Sequence, residues 1–188
     1  VLHNLKRESR RANSQSSVSP EDQIRPVSKV KTHRRDFDRS EAYKEYQEAK
    51  VERVIDGDTV IVSRSFRKIR IRLDSIDCPE DGQHWGDIAK YGLIKMIGGR
   101  RVFLEEHGQD CHGRTVATIF VQHGSKWINV NERMVTLGHA WVMRRYYDHL
   151  PKDRQNKLNS LERWAKTKKV GLWKTSNPVP PWRWRNGS

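Results

Sequence analysis

The sequence is poor in cysteine, in long apolar runs and in acidic residues. Cys78 and Cys111 are the only cysteines among 188 residues, so at most one disulfide can form and a disulfide-rich scaffold is excluded. No run approaches the roughly 18 consecutive apolar residues of a membrane-spanning helix, and we expect no membrane partner. Only 23 Asp and Glu oppose 37 Lys and Arg, which gives a net charge of +14. This excess predicts a polyanionic partner, with nucleic acid favoured over an anionic membrane surface.

Composition divides the chain into three segments. Residues 1–48 carry many polar residues and few large aliphatics, and we expect a mostly disordered or loosely packed basic segment, with a short charged helix over 36–48. Residues 49–174 are periodic in hydrophobicity and form the predicted folded domain. Residues 175–188 form a strap rich in proline and tryptophan, in which the prolines predict that 177–185 is not helical.

Hydrophobic periodicity predicts three strands, a helix, two strands and two helices, in that order. The strands are predicted near residues 51–55, 60–62, 69–73, 102–104 and 116–121, and the helices near 86–97, 130–137 and 152–169. In the first helix, the predicted inward face consists of Ile88, Tyr91, Ile94 and Ile97. Five short strands with a helix inserted between the third and fourth indicate an α+β fold, a five-stranded OB-fold β-barrel with about three α-helices.

Three carboxylates are predicted at the ends of the first three strands: Asp58, Asp77 and Glu80. Neighbouring strands bring their ends together, and converging carboxylates repel one another unless a cation lies among them. Carboxylate oxygens without imidazole or thiolate suit a hard cation such as Ca²⁺ or Mg²⁺. Asp58 alone would be unremarkable, because Asp-Gly-Asp is also typical of an ordinary hairpin turn.

Two arginines extend the predicted acidic site. Arg72 lies on the polar face of the third strand, and Arg114 stands at the head of a later strand. A metal ion beside two guanidinium groups suits attack on a phosphodiester, because guanidiniums bind phosphate oxygens bidentately as negative charge builds. A neighbouring carboxylate can align or deprotonate the attacking water. For either arginine taken alone, a phosphate contact or a solvated surface charge is the simpler interpretation.

The histidines and cysteines give weaker signals. The eight histidines show no zinc-ligand spacing, so the sequence does not predict a zinc site. Cys78 and Cys111 each lie near a predicted site residue, and the sequence leaves open whether they form a disulfide, which would fit an oxidising compartment.

Four motifs occur in a fixed order: Ile-Asp-Gly-Asp-Thr-Val at 55–60, Arg-Leu at 72–73, Ile-Asp-Cys-Pro-Glu at 76–80 and His-Gly-Arg at 112–114. Together they resemble the staphylococcal nuclease (thermonuclease) family, over about residues 49–173. The resemblance implies a Ca²⁺-dependent, sugar-nonspecific endonuclease that hydrolyses DNA and RNA to 3′-phosphate products. It also implies a secreted or periplasmic protein, with a cytoplasmic location as the alternative, and we expect a monomer.

The resemblance also implies roles for single residues. Asp58 and Asp77 would bind Ca²⁺ through their side chains, and Cys78 would bind it through its carbonyl oxygen, where a threonine is familiar in the family. Glu80 would hold the attacking water as base or orienter. The remaining implied roles are stabilisation of the phosphate by Arg72 and Arg114, an outer-shell position near the metal waters for Asp56, and substrate contact by Tyr146.

Arg144 is a departure from the family pattern. It occupies the position of a second substrate-binding tyrosine, and we expect it to contact substrate instead. The alternative to an enzyme is a non-catalytic OB-fold module that binds nucleic acid. The enzyme is favoured because this chain keeps the whole catalytic set, whereas binders in the family tend to lack parts of it. The set consists of Asp58, Arg72, Asp77, Glu80 and Arg114.

Overall fold

The computed structural model describes residues 46–187. The disordered segment predicted for 1–35, and most of the helix predicted over 36–48, lie outside the described residues. Within the described part, Gln47 and Glu48 belong to the first strand rather than to a helix.

Five strands form a closed barrel, which confirms the predicted α+β fold of the OB type. Four antiparallel contacts give the order β3-β2-β1-β5-β6, and a parallel contact between β3 and β6 closes the ring. Strand β7 continues from β6 as a hairpin, and the short strands β4 and β8 pair separately. The strands are β1 Gln47–Val54, β2 Thr59–Arg64, β3 Arg67–Leu73, β4 Ile76–Asp77, β5 Arg101–Gln109, β6 Thr115–His123, β7 Lys126–Asn129 and β8 Trp141–Val142.

Among residues 46–187, three α-helices of seven residues or more accompany the barrel, close to the predicted positions: α1 Gly86–Ile97, α2 Val130–Thr136 and α3 Lys152–Thr167. A fourth helix, α4, is a single turn over Pro181–Trp184 and contradicts the prediction of a non-helical strap. Pro181 is the first residue of this turn, where its fixed φ favours the helix and its missing N–H would have no intrahelical partner. No helix among residues 46–187 combines the length and the apolar character needed to cross a bilayer.

Helix α1 buries a different face from the one predicted. Its buried residues are Gly86, Ala89, Leu93 and Ile97, whereas Ile88, Tyr91 and Ile94 are 46%, 57% and 40% exposed. Apolar residues occupy more than one face of this helix, so periodicity alone does not select the face. Small residues decide it, because they allow the helix to approach the barrel closely.

Gly57 shows why this close approach matters to the site. A Cβ at position 57 would lie 2.6 Å from the Cβ of Cys78 and 3.0 Å from the Cβ of Ala89. A larger residue would therefore push apart the β1–β2 turn, the end of β4 and helix α1. The first two of these elements carry Asp58 and Asp77.

Candidate active site

The β1–β2 turn fixes the first acid. The backbone N–H of Asp58 donates to Oδ1 of Asp56 at 2.9 Å, which holds the turn in place. The Oδ2 atom of Asp58 in turn accepts a 2.7 Å hydrogen bond from the backbone N–H of Cys78. This bond joins the turn to the end of β4, and Asp58 is buried between them.

Arg72 connects the two buried aspartates. Its Nη2 atom lies 2.7 Å from Oδ1 of Asp77 and 3.2 Å from Oδ2 of Asp58. Its Nη1 atom donates to the carbonyl oxygens of Leu73 and Ile76, both at 2.9 Å. The guanidinium therefore donates hydrogen bonds to three acceptors and forms an ion pair with Asp58. The structure thus brings Asp58, Arg72 and Asp77 into one buried network.

The electrostatics of this network favour an added cation. Burial raises the pKa of Asp58 to about 7, against the opposing effect of the Arg72 guanidinium, while Asp56 and Asp77 raise it further. Burial by itself would lower the pKa of Arg72, but Asp58 and Asp77 outweigh burial and raise it. The carboxyl of Asp58 is thus undercompensated, and an added positive charge beside it would stabilise its ionised form.

A second guanidinium does reach these acids, and sequence reasoning did not predict it. The Nη2 atom of Arg185 lies 2.9 Å from Oδ2 of Asp77, and its Nη1 atom donates to Oε1 of Glu80. Arg185 follows directly after helix α4. The segment before this helix is tied to the same site, because Gln83 accepts from the N–H of Glu80 at 2.9 Å and donates to the carbonyl of Val179 at 2.6 Å.

The donor set fits a hard cation. Asp58, Asp77 and Glu80 offer only carboxylate oxygens, the ligands that Ca²⁺ and Mg²⁺ prefer, and the Arg185 guanidinium shows that Asp77 and Glu80 accept a cation together. Within residues 46–187, these three acids do not form a group whose ligand atoms all lie within 4.8 Å of one another. A cation bound here would need additional oxygen ligands, which is usual for Ca²⁺.

Arg114 directly precedes the neighbouring strand β6 and pairs with a different acid. Its Nε atom donates to Oδ2 of Asp110 at 2.7 Å, and its backbone N–H donates to Oδ1 at 3.0 Å. In the parallel β3–β6 contact, Arg72 is opposite Val116. Because Arg114 is two residues before Val116, strand alternation directs Arg114 and Arg72 to the same face of the barrel wall.

Residues 70–175 match the family described as "Staphylococcal nuclease homologue". The chain belongs to this family. An "Uncharacterized endonuclease" of Escherichia coli O157:H7 is 36% identical over 137 residues, covering 73% of this chain and 84% of that protein. A "Micrococcal nuclease" of Shigella flexneri is 36% identical over 143 residues, covering 73% and 80% of the two chains. An "Uncharacterized endonuclease" of Haemophilus influenzae is 33% identical, covering 76% and 75%.

In this member of the staphylococcal nuclease family, both cysteines are free. Cys78 is buried, and its thiol donates to the carbonyl oxygen of Gly57 at 3.2 Å. Burial raises the pKa of the Cys78 thiol well above its usual value, so the thiol stays neutral at physiological pH. Cys111 is exposed. Cys78 is therefore a packing residue in this structure, and metal binding through its carbonyl stays a prediction.

The two residues predicted to contact substrate differ in their surroundings. The Nη2 atom of Arg144 lies 2.7 Å from Oε2 of Glu162, whose side chain is 2% exposed. Tyr146 is 60% exposed, and the guanidinium of Arg145 lies 5.7 Å from the centre of its ring. Tyr146 is thus open to a ligand, whereas Arg144 already has a buried partner, and substrate binding by either stays a prediction.

Proposed function

We propose that this chain is a Ca²⁺-dependent endonuclease that hydrolyses the phosphodiester bonds of DNA and RNA irrespective of the sugar and leaves 3′-phosphate ends. The observation that carries the proposal is the network in which Arg72 joins Asp58 and Asp77, with Glu80 at its edge. The relatives named endonuclease and nuclease support the reaction class.

The net charge of +14 supports a nucleic-acid substrate. Lys and Arg side chains bind the phosphate backbone by releasing its counterions, so affinity should fall steeply with salt. Contacts to phosphate carry no sequence information, which agrees with cleavage independent of base sequence.

Asp58 and Asp77 would hold Ca²⁺, with the Cys78 carbonyl as a further oxygen ligand. The ion would supply a Lewis acid that polarises the scissile phosphate and orients water. Asp56 supports this site from outside, since its carboxylate holds the backbone of Asp58. The amide N–H of Cys78 holds the Asp58 carboxylate in turn, so both the backbone and the side chain of Asp58 are positioned before metal binds.

Glu80 would orient the attacking water or accept its proton. Arg72 would donate hydrogen bonds to phosphate oxygens as negative charge increases in the transition state, with Arg114 acting from the same face of the barrel wall. The hydrogen bonds that Arg72 donates to the carbonyl oxygens of Leu73 and Ile76 fix this guanidinium in advance. Reorganisation during the reaction is thereby reduced, which is the condition under which such donors lower the barrier most.

The decisive experiment is digestion of supercoiled plasmid and of single-stranded RNA with Ca²⁺ or with a chelator. We expect cleavage of both with Ca²⁺ and none with the chelator, and the DNA ends should support polymerase extension only after phosphatase treatment. Arg72→Ala should lose activity by a factor on the order of 10² or more. Arg70→Ala is the matched control, because Arg70 is exposed on the same strand.

Each alternative has a distinct outcome in this experiment. Cleavage that proceeds in the chelator would contradict the Ca²⁺ dependence. Salt-sensitive binding of both nucleic acids without cleavage under any tested divalent ion would instead identify a non-catalytic OB-fold binding module.

A further inference from the structure

A second cluster of ligand-type side chains lies outside the proposed nuclease site. Asp74 lies in the turn between β3 and β4, His107 in β5, and His149 in the segment before α3. The Oδ2 atom of Asp74 is 3.0 Å from Nε2 of His149 and 3.7 Å from Nε2 of His107. Each of the three residues offers one ligand atom, and these three atoms all lie within 4.8 Å of one another. Two imidazoles and one carboxylate thus converge from three separate parts of the chain.

These separations fit a tetrahedral ion. Zinc binds histidine nitrogen and carboxylate oxygen at about 2.0–2.1 Å, so two ligand atoms of a tetrahedral site lie about 3.3 Å apart. The distances from Asp74 to the two imidazoles lie on either side of this value. Shifts of a few tenths of an ångström in His107 and His149 would bring both Asp74–imidazole distances to the tetrahedral value.

The three side chains of the cluster differ in their exposure to solvent. The side chains of Asp74, His107 and His149 are 2%, 13% and 39% exposed, so the carboxylate is fixed in the interior and the site opens to solvent at His149. The Asp74 Oδ2 atom also accepts a 2.8 Å hydrogen bond from Ser75, which fixes the carboxylate from behind. Water can reach the cluster from the exposed side at His149.

The surrounding charges also admit a cation. Glu105 Oε2 lies 4.0 Å from Nε2 of His107. The nearby positive charge of Arg154 is bound by both carboxylate oxygens of Glu105 at 2.8 Å, so Asp74 leaves the cluster with an excess negative charge. His107 gives up one contact on metal binding, a 3.0 Å hydrogen bond with the Thr118 hydroxyl.

We propose that Asp74, His107 and His149 bind a transition-metal dication of the Zn²⁺ type, with water as the fourth ligand. Imidazole and carboxylate together suit zinc, whereas the all-oxygen set at Asp58 and Asp77 suits calcium, so the two sites select different ions. The bound metal would tie β5 and the segment before α3 to the turn that leads from Arg72 to Asp77. Its effect is structural and does not depend on the proposed nuclease activity.

Cobalt absorption is the direct test, because Co²⁺ replaces Zn²⁺ and absorbs strongly only in four-coordinate sites. The full-length chain, with Ca²⁺ saturating the acidic site, should bind one Co²⁺ with an intense visible band that one equivalent of Zn²⁺ removes. His149→Ala and His107→Ala should each weaken the affinity at least about 10-fold and abolish the band. His123→Ala is the matched control and should retain the band, as should a chain carrying both His3→Ala and His33→Ala.

Thermal unfolding supplies a second measurement that requires no activity. Zn²⁺ should raise the Tm of the wild-type chain and of His123→Ala, because a ligand that binds only the folded state stabilises it. It should not raise the Tm of His149→Ala, whose fold can be checked in chelator. The proposal would be overturned if both single histidine variants kept the Co²⁺ spectrum and affinity of the wild type. A weak six-coordinate Co²⁺ spectrum in the wild type would also overturn it.

Discussion

The guanidinium of Arg185 lies 2.9 Å from the carboxylate of Asp77, although the two residues are 108 positions apart. The same guanidinium also donates to Glu80. Arg185, which directly follows helix α4, therefore carries a positive charge into the acids that we propose bind Ca²⁺ and position water. Bound Ca²⁺ and Arg185 would compete for the same carboxylate oxygens.

Arg185→Ala should therefore lower the Ca²⁺ concentration needed for half-maximal cleavage. Removal of one competing charge close to the carboxylates should change it about 3- to 10-fold, as expected for charges partly screened by solvent. Initial rates of plasmid cleavage across a Ca²⁺ titration measure the effect. Arg183→Ala is the control, because it removes the same charge two residues earlier, from helix α4. A higher Ca²⁺ requirement in Arg185→Ala would contradict competition and indicate that Arg185 supports the bound ion or the phosphate.

Arg114→Ala should lower the cleavage rate by a factor on the order of 10² while the fold is retained, since a transition-state donor is removed. Its partner Asp110 is partly buried in the turn between β5 and β6, so little of the barrel depends on the pair. Plasmid cleavage and thermal unfolding should be measured together. Arg101→Ala, which removes a 71% exposed side chain, should change neither. A variant of Arg114 with wild-type kcat would refute the assigned role.

Asp58→Asn should stabilise the metal-free fold above neutral pH. The carboxyl of Asp58 has a pKa of about 7 in the folded protein and 3.8 as its ordinary value. Between these two values the folded chain holds a proton that the unfolded chain has released. The free energy of unfolding therefore decreases as pH rises from about 4 to 7. An asparagine at position 58 does not titrate, so the free energy of unfolding of the variant does not show this decrease. The Tm difference between the variant and the wild type, measured in chelator, should grow from pH 4 to pH 7 and level off above it.

Calcium provides the internal control for Asp58. Saturating Ca²⁺ should raise the Tm of the wild type and not that of Asp58→Asn, since the variant lacks a ligand. A Tm difference that does not change with pH would contradict the raised pKa. Equal Ca²⁺ stabilisation of both proteins would contradict metal binding at Asp58.

The barrel could be predicted from sequence because its signals are local. Alternation of apolar and charged residues in β3 places Arg72 among buried neighbours, and the Asp-Gly pair marks the β1–β2 turn. These features fix the positions of Asp58 and Arg72 along the chain, and the pairing of β2 with β3 brings them together. Asp77 joins them from the end of β4, through its ion pair with Arg72.

The contacts that could not be predicted are those without a local signal. Arg185 and Asp77, like His149 and Asp74, meet only because distant segments fold against the barrel. The buried face of α1 also depends on its neighbours, since Ala89 fits against Gly57 where Tyr91 could not. Histidine spacing in the sequence likewise gives no indication that His107 and His149 share a carboxylate.

Arg144 has two possible roles, as a structural anchor through Glu162 and as the predicted contact with substrate, and these roles can be tested separately. Its partner Glu162 is buried and also accepts hydrogen bonds from the backbone N–H of Val142 at 2.9 Å and from Lys166 at 3.0 Å. Burial alone would raise the pKa of Glu162, but the hydrogen bonds, first among them the one from Arg144, lower it. The lowered pKa of Glu162 stabilises the fold at pH values above its ordinary pKa of 4.5. This stabilisation is lost as pH falls through the pKa of Glu162 in the folded protein.

Arg144→Ala should therefore lower the free energy of unfolding at pH 7 by about 1 kcal/mol, a modest value because half of this side chain is exposed. The penalty should shrink below pH 4.5, where Glu162 begins to be protonated in the unfolded chain. Urea unfolding across pH measures it, and Arg145→Ala is the neighbouring control, expected to leave stability unchanged. The two roles predict opposite patterns, because loss of an anchor lowers stability with little change in KM, whereas loss of a substrate contact raises KM at constant stability. An Arg144→Ala chain with wild-type unfolding and a raised KM would contradict the anchoring role and favour direct contact with nucleic acid.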